Sequence, residues 1–189
     1  MKKLLLPSSY LPTGRQASYL LPSQGETMIQ IPETKLYVGT LQDSANKADE
    51  YWAIVHATQT YHYKLFGWDQ KIHKPNKNHI NYIIYERQSH MSLNWVDGYA
   101  YLYNWSGPET FIRVLNFIDK WINEKNVLIY SDKGRTRAPT IAMLYLAKRL
   151  KTIPNDSFNS AFDAFVKLYP GYLPGGIGEY VSNKWASIR

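Results

Sequence analysis

The chain contains no cysteine among its 189 residues, which excludes disulfide bonds and thiolate metal sites. The lack of disulfides suits a reducing compartment, so we expect a cytoplasmic location. Acidic residues are in the minority, with 15 Asp and Glu against 22 Lys and Arg, and the net charge of +7 favours acidic or phosphorylated partners. The length is sufficient for one α/β domain with a sizeable core and too short for two ordinary domains.

Long apolar runs are also missing near the N-terminus. The run from Leu4 to Leu6 is broken by Pro7, which makes it too short for a signal peptide or a membrane span. We therefore expect no membrane partner, and we interpret residues 1–28 as an N-terminal extension of a domain over residues 29–189. The histidines show no convincing metal-ligand spacing, so we expect no metal and no cofactor.

Residues 127–140 carry most of the functional information in the sequence VLIYSDKGRTRAPT. The apolar run at residues 127–129 is typical of a central strand in an α/β sheet. From Pro139 onward, apolar residues recur at helical spacing, and proline suits the first helical turn because its missing N–H would be unpaired there anyway. The segment predicts a strand, a tight loop at residues 131–137, and a helix that begins beneath the loop.

The 131–137 loop has the composition of a phosphate site. A helix N-terminus presents unpaired N–H groups and the positive end of the helix dipole to an anion. The guanidinium of Arg137 is a planar fork for two phosphoryl oxygens, whereas Gly134 leaves room for close backbone approach or a positive φ. Lys133 and Arg135 raise the positive potential, and Asp132 partly offsets it. The candidate phosphate-binding residues are Ser131, Asp132, Lys133, Gly134, Arg135, Thr136 and Arg137. An ordinary strand-to-helix turn with surface cations is the alternative interpretation.

Two upstream segments add to this pattern. Residues 91–97, MSLNWVD, predict a strand that runs into a loop, although the Asp97-Gly98 pair is also a favoured turn dipeptide. Residues 36–38 suit another strand, which Gly39 is expected to end.

Together these segments resemble the protein tyrosine and dual-specificity phosphatases over most of residues 31–150. The 131–137 loop is similar to the family signature HCxxGxxR at Gly134 and Arg137, and residues 95–97 are similar to the Trp-Pro-Asp loop, with Val96 in place of proline. The resemblance implies that Arg137 binds the phosphoryl group. It also implies that Asp97 stands at the position of the general acid, which protonates the departing oxygen.

The sequence departs from this family at the nucleophile. Ser131 stands in place of the catalytic cysteine, Tyr130 in place of the preceding histidine, and Ala138 in place of the hydroxyl residue after the arginine. In the family the nucleophile is a thiolate, whereas a serine hydroxyl is far harder to ionise and no histidine adjoins it in sequence to act as a base. These changes indicate a pseudophosphatase, which binds a phosphorylated ligand with little or no turnover.

Two other functions stay open. The first is an active phosphatase with an engineered Cys-to-Ser change, which would explain Ser131 but neither Tyr130 nor Ala138. A cysteine codon at position 131 of the gene would identify it. The second is an RNA-binding or structural protein that uses the fold for a basic surface, for which residues 61–77 supply interleaved lysines and aromatic residues. The expected partner is a phosphorylated protein or another phosphate-bearing ligand, with phosphate or sulfate as the smallest ligand and nucleic acid as the alternative.

The fold class follows from the order of the elements. Amphipathic patterns predict helices at residues 109–125 and 157–169, and a last helix is predicted at residues 179–187, after a stretch rich in glycine. A helix, a strand, a loop and a helix in succession give a right-handed parallel crossover. We therefore predict a three-layer α/β/α architecture with a central, mostly parallel sheet, in which ligands bind beyond the carboxyl ends of the strands.

Overall fold

The computed structural model of the protein describes residues 28–45, 47, 50–69 and 71–189. Within these residues, six strands form one sheet in the order β1-β2-β6-β3-β5-β4. The strands are β1 (Ile29–Gln30), β2 (Leu36–Thr40), β3 (Trp52–His56), β4 (Ile84–Arg87), β5 (His90–Leu93) and β6 (Asn126–Ser131). The pairs β2/β6, β6/β3 and β3/β5 are parallel, and the edge strands β1 and β4 are antiparallel to their neighbours. The predicted mostly parallel sheet is confirmed.

Helices cover both faces of this sheet, which completes the predicted three layers. They are α1 (Leu41–Ser44), α2 (Gln59–Phe66), α3 (Gly107–Trp121), α4 (Arg137–Tyr145), α5 (Phe158–Leu168) and α6 (Gly175–Asn183). A 3₁₀ turn at Ala100–Tyr103 precedes α3, and a π-helical turn at Leu146–Leu150 extends α4.

The position of β6 explains its composition. It lies between β2 and β3 at the centre of the sheet, so both of its faces are buried. Val127 and Ile129 belong to the main core cluster, whereas Leu128 and Tyr130 belong to a smaller cluster on the opposite face. A strand covered on both sides needs an uninterrupted apolar run, and this is the signal that the sequence carries.

Two helix boundaries differ from the prediction. The helix predicted at residues 109–125 begins earlier and ends earlier, at Gly107–Trp121. The last helix, predicted at residues 179–187, spans Gly175–Asn183, so the glycines expected to break the chain lie largely inside it. The physical reason is close packing, because a Cβ atom at Gly176 would collide with the carbonyl oxygen of Gly98.

The predicted N-terminal extension at residues 1–28 lies outside the described residues except for Met28, which packs partly buried against the smaller core cluster. Within the described part of the chain, none of the helices combines the length and apolar character needed to cross a membrane.

Candidate phosphate-binding site

The 131–137 loop connects the centre of the sheet to a buried helix. β6 ends at Ser131, which is 1 % exposed, and α4 begins at Arg137. Gly134 adopts a left-handed conformation with φ of 64°, and a Cβ atom there would lie 2.9 Å from the carbonyl oxygen of Gly39 in β2. The loop therefore requires glycine at this position for both its backbone conformation and its packing.

Three hydrogen bonds hold the loop backbone from the core side. The hydroxyl of Tyr169 donates to the carbonyl oxygen of Gly134 at 2.9 Å, and the N–H of Leu173 donates to that of Arg135 at 2.8 Å. The hydroxyl of Thr140 donates to the carbonyl oxygen of Thr136 at 2.7 Å. Since these bonds satisfy carbonyl groups, the loop is held in a curved shape with its carbonyls directed towards protein donors.

The start of α4 lies under this loop. Thr136 is the residue before the first helical turn, and its side chain makes no capping hydrogen bond to that turn. Ala138 and Pro139 in the first turn are buried, whereas Lys133 and Arg135 on the loop are exposed. Two exposed cations and the positive end of a helix dipole therefore lie within the same short segment of the chain.

Arg137 reaches back across the loop and is 2 % exposed. Its Nη1 donates to the carbonyl oxygen of Trp95 at 2.8 Å, and its Nη2 donates to the carboxylate Oδ2 of Asp132 at 2.7 Å. The Nε of Arg137 is buried and has no hydrogen-bond partner among the residues that the structure describes. A buried guanidinium N–H without an acceptor is unusual, because desolvation of a charged donor is costly.

Asp132 is held by two partners at once. Besides the ion pair with Arg137, its Oδ1 accepts a hydrogen bond from the hydroxyl of Thr58 at 2.7 Å. Burial alone would raise the pKa of the Asp132 carboxyl, but the Thr58 hydrogen bond and the Arg137 charge hold that pKa below its usual value. The carboxylate is therefore ionised at neutral pH, next to the guanidinium that was predicted to bind a phosphoryl group.

The structure brings Asp97 to the same loop. The hydroxyl of Thr136 donates to Oδ1 of Asp97 at 3.1 Å. Two hydrogen bonds hold the segment that carries Asp97 against the residues that follow it. The indole N–H of Trp95 donates to the hydroxyl of Ser106 at 2.7 Å. The hydroxyl of Tyr103 donates to the carbonyl oxygen of Val96 at 2.7 Å. An exposed carboxyl group is thereby fixed at the edge of the loop.

Tyr130, the residue before Ser131, belongs to a polar network on one face of the sheet. Tyr130 is fully buried, and its hydroxyl lies 2.7 Å from Nδ1 of His56 in β3. Nε2 of His56 lies 3.0 Å from Nδ1 of His90 in β5. Burial and the neighbouring His90 lower the pKa of His56 to about 3, so this imidazole is neutral under ordinary conditions. Tyr130 and Ala138 are both fully buried.

Several residues of the site carry no functional signal in the sequence. Thr58 is the N-cap of α2, which its side chain caps by accepting from the N–H of Thr60, but its contact with Asp132 spans 74 positions. Gly176 lies at the start of α6 against the backbone of Gly98 and Tyr99. These contacts depend on the fold, and only the capping role of Thr58 has a local signature.

The basic aromatic surface considered for residues 61–77 is not a row of exposed rings. Phe66 stacks on Trp68 with ring centroids 4.8 Å apart, and Trp68 makes edge contacts with Tyr63 and His79. These rings contact one another and are partly buried, which leaves less aromatic surface for bases to stack on.

Among the described residues, no group of three or more histidine, aspartate or glutamate side chains is arranged to hold a metal ion.

Comparisons with known proteins agree with the fold and add no sequence relative. No protein-family model and no curated protein matches the chain. Similar solved structures include DUSP15, with 18% identity, a TM-score of 0.53, and coverage of 86% of this chain and 90% of that one. A leucine-rich repeat and phosphatase domain protein from Entamoeba histolytica has 16% identity, a TM-score of 0.54 and coverage of 85% and 92%. The Yvh1 phosphatase domain from Chaetomium thermophilum has 17% identity, a TM-score of 0.52 and coverage of 85% and 96%. The chain therefore has a phosphatase-like α/β fold, and at these identities the likeness concerns the fold alone.

Proposed function

We propose that the protein binds a phosphorylated ligand at the 131–137 loop and turns it over slowly or not at all. The observation that carries the proposal is the unpartnered Nε of Arg137, a buried cationic donor at a loop that curls over the start of α4. The exposed Lys133 and Arg135 add positive potential at the same place. A phosphoryl oxygen would satisfy the buried donor, and phosphate is the anion that a helix terminus and a guanidinium bind together.

The surroundings of Ser131 support low turnover. A serine nucleophile needs an adjacent general base. His56 contacts the hydroxyl of Tyr130, the residue before Ser131, and Tyr130 belongs to the cluster on the sheet face opposite to the main core. Ala138 is fully buried and supplies no hydroxyl group. The ligand is therefore held by backbone N–H groups and Arg137 without an activated nucleophile.

The test combines binding and hydrolysis on the same preparation of the full chain. Phosphotyrosine and phosphoserine peptides and inorganic phosphate are titrated by calorimetry, and release of phosphate from the peptides is measured in parallel. We expect binding that is lost in Arg137→Lys, which keeps the charge but removes the planar fork. The matched control is Arg113→Lys, the same change at an exposed position of α3. Rapid hydrolysis by the unmodified chain, or binding that does not depend on Arg137, would contradict the proposal.

A second function is favoured by the position of Asp97. Its carboxylate accepts a hydrogen bond from Thr136 at the edge of the loop, which is a position from which an acid would reach a leaving group. This arrangement suits a phosphatase in which serine has replaced the nucleophilic cysteine. In that case restoring cysteine at position 131 restores hydrolysis, and Asp97→Asn removes it again.

A further inference from the structure

Arg137, the proposed phosphate ligand, already has an anion bound to it within the chain. Its Nη2 donates to Oδ2 of Asp132 at 2.7 Å, in a pair whose arginine is 2 % and whose aspartate side chain is 40 % exposed. The aspartate follows Ser131 directly and lies in the loop itself. The Asp132 carboxylate therefore occupies one N–H donor of the Arg137 guanidinium, which is the group that binds the ligand in the proposed function.

The remaining donors of Arg137 limit how a phosphoryl group is held. Nη1 is occupied by the carbonyl oxygen of Trp95, which also accepts from the N–H of Gln59, so this bond is part of the backbone framework. Nε is the one nitrogen of Arg137 that has no hydrogen-bond partner among the described residues, whereas Nη1 and Nη2 each carry two N–H bonds and each donate one of them. A guanidinium binds phosphate best through two parallel N–H donors, and a phosphoryl group that uses Nε and Nη2 meets the carboxylate already bound to Nη2 unless Asp132 moves away.

Asp132 is retained by a contact outside the loop. Its Oδ1 accepts from the hydroxyl of Thr58, a residue that is fully buried at the start of α2. Release of the carboxylate would leave that buried hydroxyl without this acceptor. The position of Asp132 on Arg137 is therefore stabilised by two hydrogen bonds, one to Arg137 and one from Thr58. Because the Asp132 side chain is partly exposed, solvent offers the carboxylate an alternative position once it leaves.

We propose that Asp132 is a specificity-determining residue, a competitor within the chain that a ligand phosphoryl group must displace from Arg137. This inference rests on the proposed function. A phosphate dianion that approaches Nε and Nη2 beside a fixed carboxylate meets like-charge repulsion. A bare phosphate ion therefore binds poorly, and binding favours ligands whose other contacts compensate for displacement of Asp132. The pocket discriminates against small phosphate metabolites and in favour of phosphorylated macromolecules.

The test measures affinity for inorganic phosphate in the full chain at fixed ionic strength. Asp132→Asn should tighten phosphate binding by at least about tenfold, because it removes the competing charge and keeps the side-chain shape. Thr58→Val removes the hydrogen bond that retains the carboxylate and should tighten binding by a smaller factor. The matched control is Asp156→Asn, which makes the same change in net charge at an exposed aspartate outside the loop. It should change the affinity less than about twofold.

The outcomes separate this inference from the proposed function. If Asp132→Asn binds phosphate no more tightly than the unmodified chain, and Arg137→Lys abolishes binding in both, Asp132 is a structural partner only and the proposed function stands. If no variant shows binding that depends on Arg137, both ideas fail. Unfolding midpoints are measured for every variant. Should Asp132→Asn fail to fold, Asp132→Ser and Thr58→Val decide the question by the same comparison.

Discussion

The hydroxyl of Tyr130 lies 2.7 Å from Nδ1 of His56 on the adjacent parallel strand, and His56 in turn contacts His90 on the next strand. This row of polar side chains crosses three strands on one face of the sheet. Tyr130 and Ser131 are neighbours in sequence, yet successive strand residues point to opposite faces, so the two side chains belong to different environments. Tyr130, the residue before the loop, is thus part of a hydrogen-bond network with His56 and His90.

Removal of the Tyr130 hydroxyl should destabilise the fold. In Tyr130→Phe the ring volume is kept, but Nδ1 of buried His56 loses its partner, and an unsatisfied buried polar group costs about 1–3 kcal/mol. The free energy of unfolding in urea measures this change. The control is Tyr99→Phe, at a tyrosine that is 75 % exposed, where the change should stay within about 0.5 kcal/mol. Equal effects at both positions would show that the Tyr130–His56 contact contributes nothing to stability.

Restoration of the cysteine should not by itself produce an efficient enzyme. In Ser131→Cys the thiol would stand at the end of β6, before the loop that leads into α4, where Ala138 supplies no hydroxyl and Asp132 competes for Arg137. We expect hydrolysis of p-nitrophenyl phosphate by Ser131→Cys to stay within about tenfold of the unmodified chain, because thiolate formation is only one part of the rate enhancement. Robust hydrolysis that Asp97→Asn removes would instead support the trapped-enzyme alternative.

The sequence predicts those parts of the site that are local. The apolar run before Ser131 and the proline after the loop predict β6 and α4, because burial on both faces and helix-start chemistry each impose a local pattern. The Asp132–Arg137 pair is also close in sequence, but sequence alone indicates only that the charges offset each other. The Thr58 contact and the approach of Gly176 to Gly98 are set by packing between distant segments, for which no periodic pattern exists.

Gly134→Ala should lower the stability of the fold. The substitution places a side chain at φ of 64° and brings Cβ to 2.9 Å from the backbone oxygen of Gly39, so we expect a loss of about 1–3 kcal/mol. Gly67→Ala is a matched control, since Gly67 has φ of 63° and a Cβ atom added there would meet open space. The difference in unfolding free energy between the two variants therefore measures the cost of the contact between the added Cβ atom and the carbonyl oxygen of Gly39. A smaller loss at Gly134 than at Gly67 would contradict this assignment.

Gly176→Ala should displace the segment that carries Asp97. Its Cβ would collide with the oxygen of Gly98 and lie 2.6 Å from the carbonyl carbon of Tyr99, both backbone atoms that cannot rotate away. We expect the contact between Asp97 and Thr136 to be lost, with a destabilisation of about 1–3 kcal/mol from overpacking. Amide chemical shifts of residues 97–100 and unfolding in urea measure the two effects. The control is Gly171→Ala, whose Cβ would make an ordinary contact at 3.7 Å, and unchanged shifts in Gly176→Ala would contradict the prediction.

Acid should destabilise the fold through its buried histidines. Burial lowers the pKa of His62 to about 4, and burial with the nearby His90 lowers that of His56 to about 3, both from an ordinary value of 6.5. Below pH 6.5 the unfolded chain therefore binds protons that the folded chain does not. The stabilisation from the neutral imidazoles is fully present above that pH and is lost as the pH falls towards the folded-state values, by up to about 1.4 kcal/mol per pH unit for each histidine.

Urea unfolding at half-unit intervals from pH 7.5 to 5 measures this slope. His62→Gln should reduce it, because the amide offers a donor to the carbonyl oxygen of Asn81, which lies 2.9 Å from Nε2 of His62, without binding a proton in this range. His73→Gln, at an exposed histidine, controls for the loss of an imidazole as such. A slope that is the same in His62→Gln as in the unmodified chain would mean that acid acts on the fold through other groups.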